Sequence, residues 1–506
     1  MTTAIVWFKR DLRAEYHKPL RQAADQHDVV IPLYIFEPDL WQQPDMSYRH
    51  FLFLMESIEE LHQTLSALGQ GLVIRVGSAV DVLADITRAF NVKTIYSSQE
   101  TWNNWTYQRD IAVSQWAKTT DVQWFELPQN GVVRALPSRD GWSKRWYQHV
   151  TETLPKPVKY LPPIAIASDT IGNPQTYGLV NDGIVKRQLG GRQKGLALLD
   201  SFLYERCYHY SHHISSPKLA QFSGSRLSPY LAFGCLSIAE VYQASNQRVS
   251  ALKQEKTAES KRSIRSIQAF LSRLRWHCHF IQKMECQPDI EFHNMHRAYD
   301  SIRTELTHPE YLHAWQVGMT GYPMVDASMR SLIQEGWLNF RMRAMLMSFA
   351  SYHLWIPWQM SSLHLANLFV DYEPGIHYSQ TQMQSGTTGI NTLRIYNPTK
   401  QAIDQDPDGS FIRHWIPELS AVEDAWIHEP WQAPEDCRQN YPLPIINESQ
   451  SRQAAMKIIY GIRRDPKHRD LSTAIVTQHA SRRKRVKPKT VKQPQQLALN
   501  LGLANE

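Results

Sequence analysis

The chain has 506 residues, 42% of them apolar, with 16 tryptophans, 22 tyrosines and a formal charge of +7. That length exceeds what one hydrophobic core organises and implies two or three domains. No apolar run reaches membrane-spanning length, the N-terminus lacks a signal-peptide core, and Cys207, Cys235, Cys278, Cys286 and Cys437 form no C-x-x-C pair. These features predict a cytoplasmic monomer with buried free thiols, not a secreted disulfide framework. The charge is unevenly placed: residues 451–506 hold 13 Lys/Arg against 3 Asp/Glu, and the remaining body is slightly acidic. A nucleic-acid face on the body must therefore be a local patch.

From Thr2 to about Phe125, the apolar runs IVWF, VVIPLYIF, LVIRV and TIYSS alternate with the helical stretches MESIEELHQTLSALG and DVLADITRAF. Such alternation predicts a parallel sheet wrapped by helices, Rossmann-like with the strand order open, over residues 1–130. Residues 131–195, rich in Pro, Gly and polar side chains, read as a connector over the surface. From residue 196 to 446 the periodicity is helical throughout, which predicts a larger all-α domain. Residues 447–506 read as a basic, largely disordered tail with one helix at Ser451–Arg463, followed by SRRKRVKPKT (Ser481–Thr490), where charge and proline oppose packing.

Two segments carry candidate chemistry by residue type alone. In SGSRLSPYLAFGCLS (Ser223–Ser237), a hydroxyl-rich turn precedes a helical run, where outward N–H groups can hold a phosphate or form an ordinary cap. In RLRWHCHF (Arg273–Phe280), His277, Cys278 and His279 look like metal ligands. Adjacent helical positions diverge around the axis, so no metal site is expected.

Further motifs are AIVWFKRDLR (Ala4–Arg13), AWQVGMTGYPMVDASMRSLIQEGWLNFRMR (Ala314–Arg343), FVDYEPGIHYSQ (Phe369–Gln380), RIYNPTKQAIDQDPDGSFIRHWIPEL (Arg394–Leu419) and HEPW (His428–Trp431). In this order and spacing the chain resembles the photolyase/cryptochrome flavoproteins over nearly all of Thr2–Trp431. The resemblance implies an α/β antenna-type domain, an all-α FAD-binding domain and blue-light chemistry. By residue matching it implies a pyrophosphate loop at Ser225, Arg226, Leu227 and Ser228, with Tyr210 as an upstream phosphate contact. It likewise places Arg343 and Asn339 beside the cofactor, with Asp371 and Glu373 accepting from the flavin ring and ribose. An Arg343–Asp371 ion pair is expected, and an arginine there favours an anionic reduced flavin. Near flavin N5 the chain offers Ile376, His377 or Tyr378; His377 either tunes flavin protonation or is structural.

Departures from the family pattern fall in the lesion pocket and the electron path. Trp276 matches the stacking tryptophan, but Arg273 stands for the usual glutamate and His277 for the usual arginine, and Phe340 and Met383 complete the expected lesion contacts. Of the tryptophan series only Trp358 is retained; Trp355, Tyr372 and Tyr378 are the candidate replacements. Trp105 and Thr106 stand where a folate antenna's Asn–Glu pair would align, which leaves the identity of a second chromophore open. Cys437 is the only cysteine after Cys286, so an iron–sulfur cluster is not expected. At the C-terminus, Gln496, Leu497, Leu499 and Leu501 resemble the hexapeptide through which bacterial repair proteins engage the sliding clamp. The resemblance thus implies an FAD-dependent, light-driven lyase acting on UV-damaged DNA. The alternatives are a cryptochrome-type photoreceptor without repair activity, or a binding module that has lost redox function.

Overall fold

The computed structural model describes residues 2–479. Five parallel strands, β1 (Thr3–Phe8), β2 (Val29–Phe36), β3 (Val73–Val76), β4 (Thr94–Ser98) and β5 (Gln123–Leu127), form one sheet in the order β3-β2-β1-β4-β5. β1 is central, paired with β2 from Thr3↔Val29 to Phe8↔Tyr34 and with β4 from Ala4↔Thr94 to Trp7↔Ser97. Both faces of this strand are covered, which is why it reads as an unbroken apolar run. The sequence pattern missed β5: it is an edge strand whose Gln123 and Phe125 face solvent, so only a weak alternation marks it.

The strand order reverses between β1 and β4, the switch point where open α/β sheets carry their loops toward a ligand or a second domain. Here the loop after β1 meets the helical domain. Leu12 N–H donates to the Phe233 carbonyl (3.2 Å), Arg13 Nη1 to the Gly234 carbonyl (2.8 Å), and Arg10 Nε to the Ala232 carbonyl (3.0 Å). Gly234 has φ +65°, and a Cβ there would lie 2.1 Å from the Arg10 carbonyl oxygen. Only glycine permits that approach.

Residues 131–195 are more than a surface connector. They contain the helix Trp142–Thr151, which buries Trp142, Trp146 and Val150, and Trp142 Nε1 donates to Gln282 Oε1 at 3.0 Å. Beyond Arg192 the described chain is helical, with no strand. Its centre is the 29-residue helix Ala258–Cys286, which packs against the helices Cys207–His213, Ile238–Glu255 and Pro374–Ser385. Thr257 caps this helix by accepting from the Ser260 N–H, and its buried positions form one stripe from Ser263 to Cys278.

The tail reading needs correcting over residues 447–479. The helix foreseen at Ser451–Arg463 spans Glu448–Arg463 and is followed by a second helix, Pro466–His479. Ala455 and Ile459 pack with Tyr299 and Tyr352, so this part of the tail belongs to the folded body. The basic run Ser481–Thr490 and the clamp-like Gln496–Leu501 lie outside the described residues. The five cysteines are free, but Cys286 and Cys437 are only partly buried, unlike Cys207, Cys235 and Cys278. Among the described residues no helix is long and apolar enough to cross a membrane, and no group of His, Cys, Asp and Glu is arranged to hold a metal ion.

Candidate functional site

The cations of the Lys9–Arg13 loop are consumed by the interior. Lys9 Nζ lies 3.4 Å from Asp110, and the Arg10 guanidinium sits 3.2 Å over the Trp102 ring and 4.4 Å from that of Phe233. Arg10 also faces Glu373 across the domain boundary. Burial raises the Glu373 carboxyl to about 8, against the pull of Arg10. Sequence reading gave Arg10 no role; its one signal was a cation directly after a fully apolar strand.

Of the predicted cofactor residues, Arg343, Asp371 and Arg226 come together. The Arg343 guanidinium grips Asp371 through two hydrogen bonds, Nη1–Oδ1 at 3.0 Å and Nη2–Oδ2 at 2.8 Å, as expected. Asp371 is buried, while Arg343 keeps about a quarter of its side chain accessible (26%). Arg226 feels both members of this pair, and burial lowers its guanidinium to about 10. It adopts φ +60°, stacks 4.1 Å over Trp337 and donates to Gln188 Oε1 at 3.1 Å. Leu227 is buried. Ser225 and Ser228 are partly exposed, and their hydroxyls make no hydrogen bond among the described residues. The run after this turn is shorter than the sequence suggested: the helix is only Ser228–Ala232, so the hydroxyls and Arg226, not a long helix dipole, are what the turn offers an anion.

At this site two buried acceptor atoms, Glu373 Oε1 and Asn339 Oδ1, have no partner among the described residues. Asn339 uses its Nδ2 to tie the Ile214 and Ser215 carbonyls (3.0 and 2.9 Å). His377 donates Nε2–H to the Ser362 carbonyl at 2.8 Å, which leaves Nδ1 unprotonated, and burial lowers its pKa to about 4. His277 is held neutral in the same way, lowered to about 4 by burial despite nearby Asp371. Free hydroxyls and a guanidinium at one end, with buried acceptors and a clamped acidic pair at the other, suit a dinucleotide carrying a polar ring.

Next to His277 on the same helix, Trp276 is 44% exposed at the rim of a cavity of about 590 Å³, with Met383, Phe280 and Trp142 also on its walls. The structure therefore brings Trp276 and Met383 together. Arg273 and Phe340 do not join them. Arg273 lies 5.0 Å from the Trp276 ring and turns to the Tyr210 hydroxyl, which burial raises to about 12; Phe340 is 49% exposed, away from this cavity. Tyr210 is thereby engaged by Arg273 and not free at the pyrophosphate turn.

The proposed electron carriers separate. Trp358, Tyr378, Tyr372 and Trp102 make successive ring contacts at 6.2, 6.4 and 5.3 Å. Tyr372 donates its hydroxyl to Asp45 Oδ2 at 2.8 Å. Trp355 is not in this series; it packs under the Arg303 guanidinium at 5.2 Å in a different cluster. Beside Tyr378 a cleft of about 690 Å³ opens between the domains, lined by Glu37, Asn103, Trp105, Arg109 and Glu291.

Comparison with known proteins agrees with this geometry. Residues 4–155 match the DNA photolyase family, and residues 270–460 match the FAD binding domain of DNA photolyase. A cryptochrome DASH of Gloeobacter violaceus is 27% identical over 502 residues, covering 92% of this chain and 97% of that protein. A deoxyribodipyrimidine photo-lyase of Streptomyces griseus is 27% identical over 471 residues, covering 89% and 98%. The crystal structure of an archaeal photolyase from Sulfolobus tokodaii, containing two FAD molecules, superposes with a TM-score of 0.72 at 26% identity, covering 91% of this chain and all of that one. The chain belongs to the photolyase/cryptochrome family, with an FAD-binding domain in its helical half.

Because His377 is neutral when folded and takes up a proton near pH 6.5 when unfolded, its burial contributes stability that is complete above about pH 6.5 and lost as the pH falls toward about 4. His377→Gln removes one such group. The slope of unfolding free energy against pH between 4 and 6.5, measured by urea titration, should be shallower in the variant. An unchanged slope would show that His377 is already charged in the native protein.

Proposed function

We propose that this protein is a light-driven DNA repair enzyme, a deoxyribodipyrimidine photolyase-type carbon–carbon lyase. The observation that carries this reading is the position of Trp276, exposed at a cavity rim while the adjacent His277 faces the Arg343–Asp371 pair. One helix thus links a base-stacking platform to the flavin-type site. Ser225, Arg226, Leu227 and Ser228 hold the FAD diphosphate, without Tyr210, which Arg273 engages. Arg343, Asp371, Asn339 and Glu373 hold the ring and ribose. Bound FAD supplies, in its reduced form and on blue-light excitation, the electron that splits a UV-induced pyrimidine dimer. Trp276 stacks on the flipped base, Met383 closes the opposite wall, and His377 presents an unprotonated Nδ1 as an acceptor.

The aromatic series Trp358–Tyr378–Tyr372–Trp102 replaces the missing tryptophan path, with Asp45 positioned to accept the Tyr372 proton. The interdomain cleft beside Trp105 is the place for a second chromophore, a reading supported by the two FAD molecules of the Sulfolobus tokodaii structure. Burial raises the Glu37 and Glu291 carboxyls lining it to about 7 and about 8. Two observations favour the photoreceptor alternative: Arg273 is spent on Tyr210, and among the described residues no carboxylate lines the cavity beside Trp276.

Replacing Arg343 by Ala, or Asp371 by Asn, should lower flavin content after purification, read from absorbance near 450 nm; two fully yellow variants would place the cofactor elsewhere. With the flavin chemically reduced beforehand, blue light should remove cyclobutane dimers or (6–4) products from irradiated oligonucleotides. Trp276→Ala should slow this about tenfold or more through lost stacking. Absence of repair on single- and double-stranded substrates alike would make the receptor the better reading. Deleting Gln496–Leu501 should abolish capture by the bacterial sliding clamp and leave the flavin spectrum unchanged; undiminished capture would remove that peptide from the partner list.

A further inference from the structure

We infer that the floor of the cavity beside Trp276 is a built phosphate site, formed by Lys283, His279 and His479 with Arg139 behind them. This deepens the nucleic-acid reading of the same cavity and rests on it for the source of the phosphate. The helix Ala258–Cys286 sets Trp276, His279, Phe280 and Lys283 at spacings of three, four and seven residues, so that all four share one face and line the cavity of about 590 Å³. That spacing was visible in the sequence, but nothing there showed that the face borders a cavity.

Three chain segments contribute the basic groups. Lys283 is 4% exposed, and its ammonium lies 5.3 Å from the Phe280 ring. Arg139, from the segment between the domains, is 6% exposed; it donates Nη2–H to His279 Nδ1, while its Nε and Nη1 are buried without a partner. The Arg139 guanidinium also lies against the Cys286 thiol and 4.7 Å over the Trp142 ring. His479, at the end of the helix Pro466–His479, is fully buried; its Nε2–H donates to Gln287 Oε1 at 2.7 Å and its Nδ1 has no partner. Arg275 adds a further cation at the cavity wall.

Among the described residues no carboxylate forms an ion pair with Lys283, Arg139, His279 or His479. Burying several cationic groups together without an acid is costly unless an anion completes the site. The strain appears in their titration: burial and neighbouring Arg139 lower the Lys283 ammonium to about 8. Burial and the surrounding cations likewise hold His279 near about 2 and His479 near about 3. Since His279 Nδ1 accepts from Arg139, its Nε2 carries the proton and is a donor. Lys283 and that N–H give a tetrahedral anion two donors, and the charge of an entering anion would favour proton uptake at His479 Nδ1, adding a third.

The chemical class follows from the neighbours. A phosphate-bearing nucleotide matches the site because the exposed Trp276 ring offers its base a stacking surface beside the cations. The phosphate is either a phosphodiester of the strand whose base stacks on Trp276 or that of a free nucleotide.

The experiment uses the full flavin-loaded chain and its Lys283→Met and Trp276→Ala variants. Binding of UV-irradiated and undamaged oligothymidine is followed by fluorescence anisotropy across salt concentrations. Thermal shifts are recorded with inorganic phosphate and with thymidine 5′-monophosphate. We expect Lys283→Met to bind the irradiated strand about tenfold more weakly, with the salt slope reduced by about 0.7 and an unchanged flavin spectrum. Removing an uncompensated buried charge should also hold or raise its Tm in phosphate-free buffer, whereas Trp276→Ala should keep the phosphate-dependent shift. If Lys283→Met binds like the parent while the parent still prefers irradiated DNA, the phosphate site is overturned and the lesion reading stands. If the parent ignores both strands but is stabilised by thymidine monophosphate through Lys283, the site stands as a free-nucleotide site and the lesion reading falls. If neither strands nor phosphates act on the parent, both fall.

Discussion

The close seating of the loop after β1 on the turn Phe233–Gly234 is the contact on which the rest of the molecule depends. It joins the switch point of the sheet to the turn that follows the Ser225–Ser228 loop, so the α/β domain sets the position of the candidate cofactor turn. The approach is close enough that a Cβ on Gly234 would meet backbone. Arg10, flattened between Trp102 and Phe233, carries charge across the same boundary to Glu373. A guanidinium suits this place because it stacks on aromatic faces and is more weakly hydrated than an ammonium. The basic appearance of KRDLR is therefore a consequence of interdomain packing, and not of a nucleic-acid surface.

Electrostatics divides the helical domain into two environments on either side of one helix. Toward Asp371 the charges are balanced: Arg343 is clamped by two hydrogen bonds, and His277 and His377 are neutral. Toward Lys283 they are not balanced, because the Lys283 and Arg139 cations meet beside neutral His279 and His479 with no carboxylate paired to them among the described residues. A balanced polar site is preorganised for a ligand that carries its own mixture of donors and acceptors. An unbalanced one is incomplete until an anion enters. The two surfaces diverge from adjacent residues, Trp276 and His277, because successive helical side chains point about 100° apart.

Expectations drawn from family motifs fared differently according to what each motif encodes. Arg343 and Asp371 met as foreseen, because both ends of the pair lie in motifs of fixed spacing. Arg273 was expected in the lesion pocket but turned to Tyr210, since an exposed arginine near a buried hydroxyl and an aromatic ring has better partners there than in the cavity. Trp355 was expected to carry electrons, yet it lies under Arg303 in a separate cluster while Tyr378 and Tyr372 continue the ring contacts from Trp358. Helical residues a few positions apart can face different cores, and sequence distance does not report which.

By itself the sequence determined the division into an α/β and an all-α half, because period-two and period-3.6 apolar patterns reflect which faces each segment must bury. It also determined the family, and it singled out the candidate cofactor turn and the Arg343–Asp371 pair, since those motifs are local and irregular. The strand order, the edge strand β5 and the helix Pro466–His479 were decided only by tertiary packing: an edge strand and a peripheral helix bury too little to mark the pattern strongly. The meeting of Arg139, Lys283 and His479 was likewise invisible in the chain. These residues are spread over 340 positions, and only the docking of the last described helix beside Trp276 turns three ordinary polar residues into one charged floor.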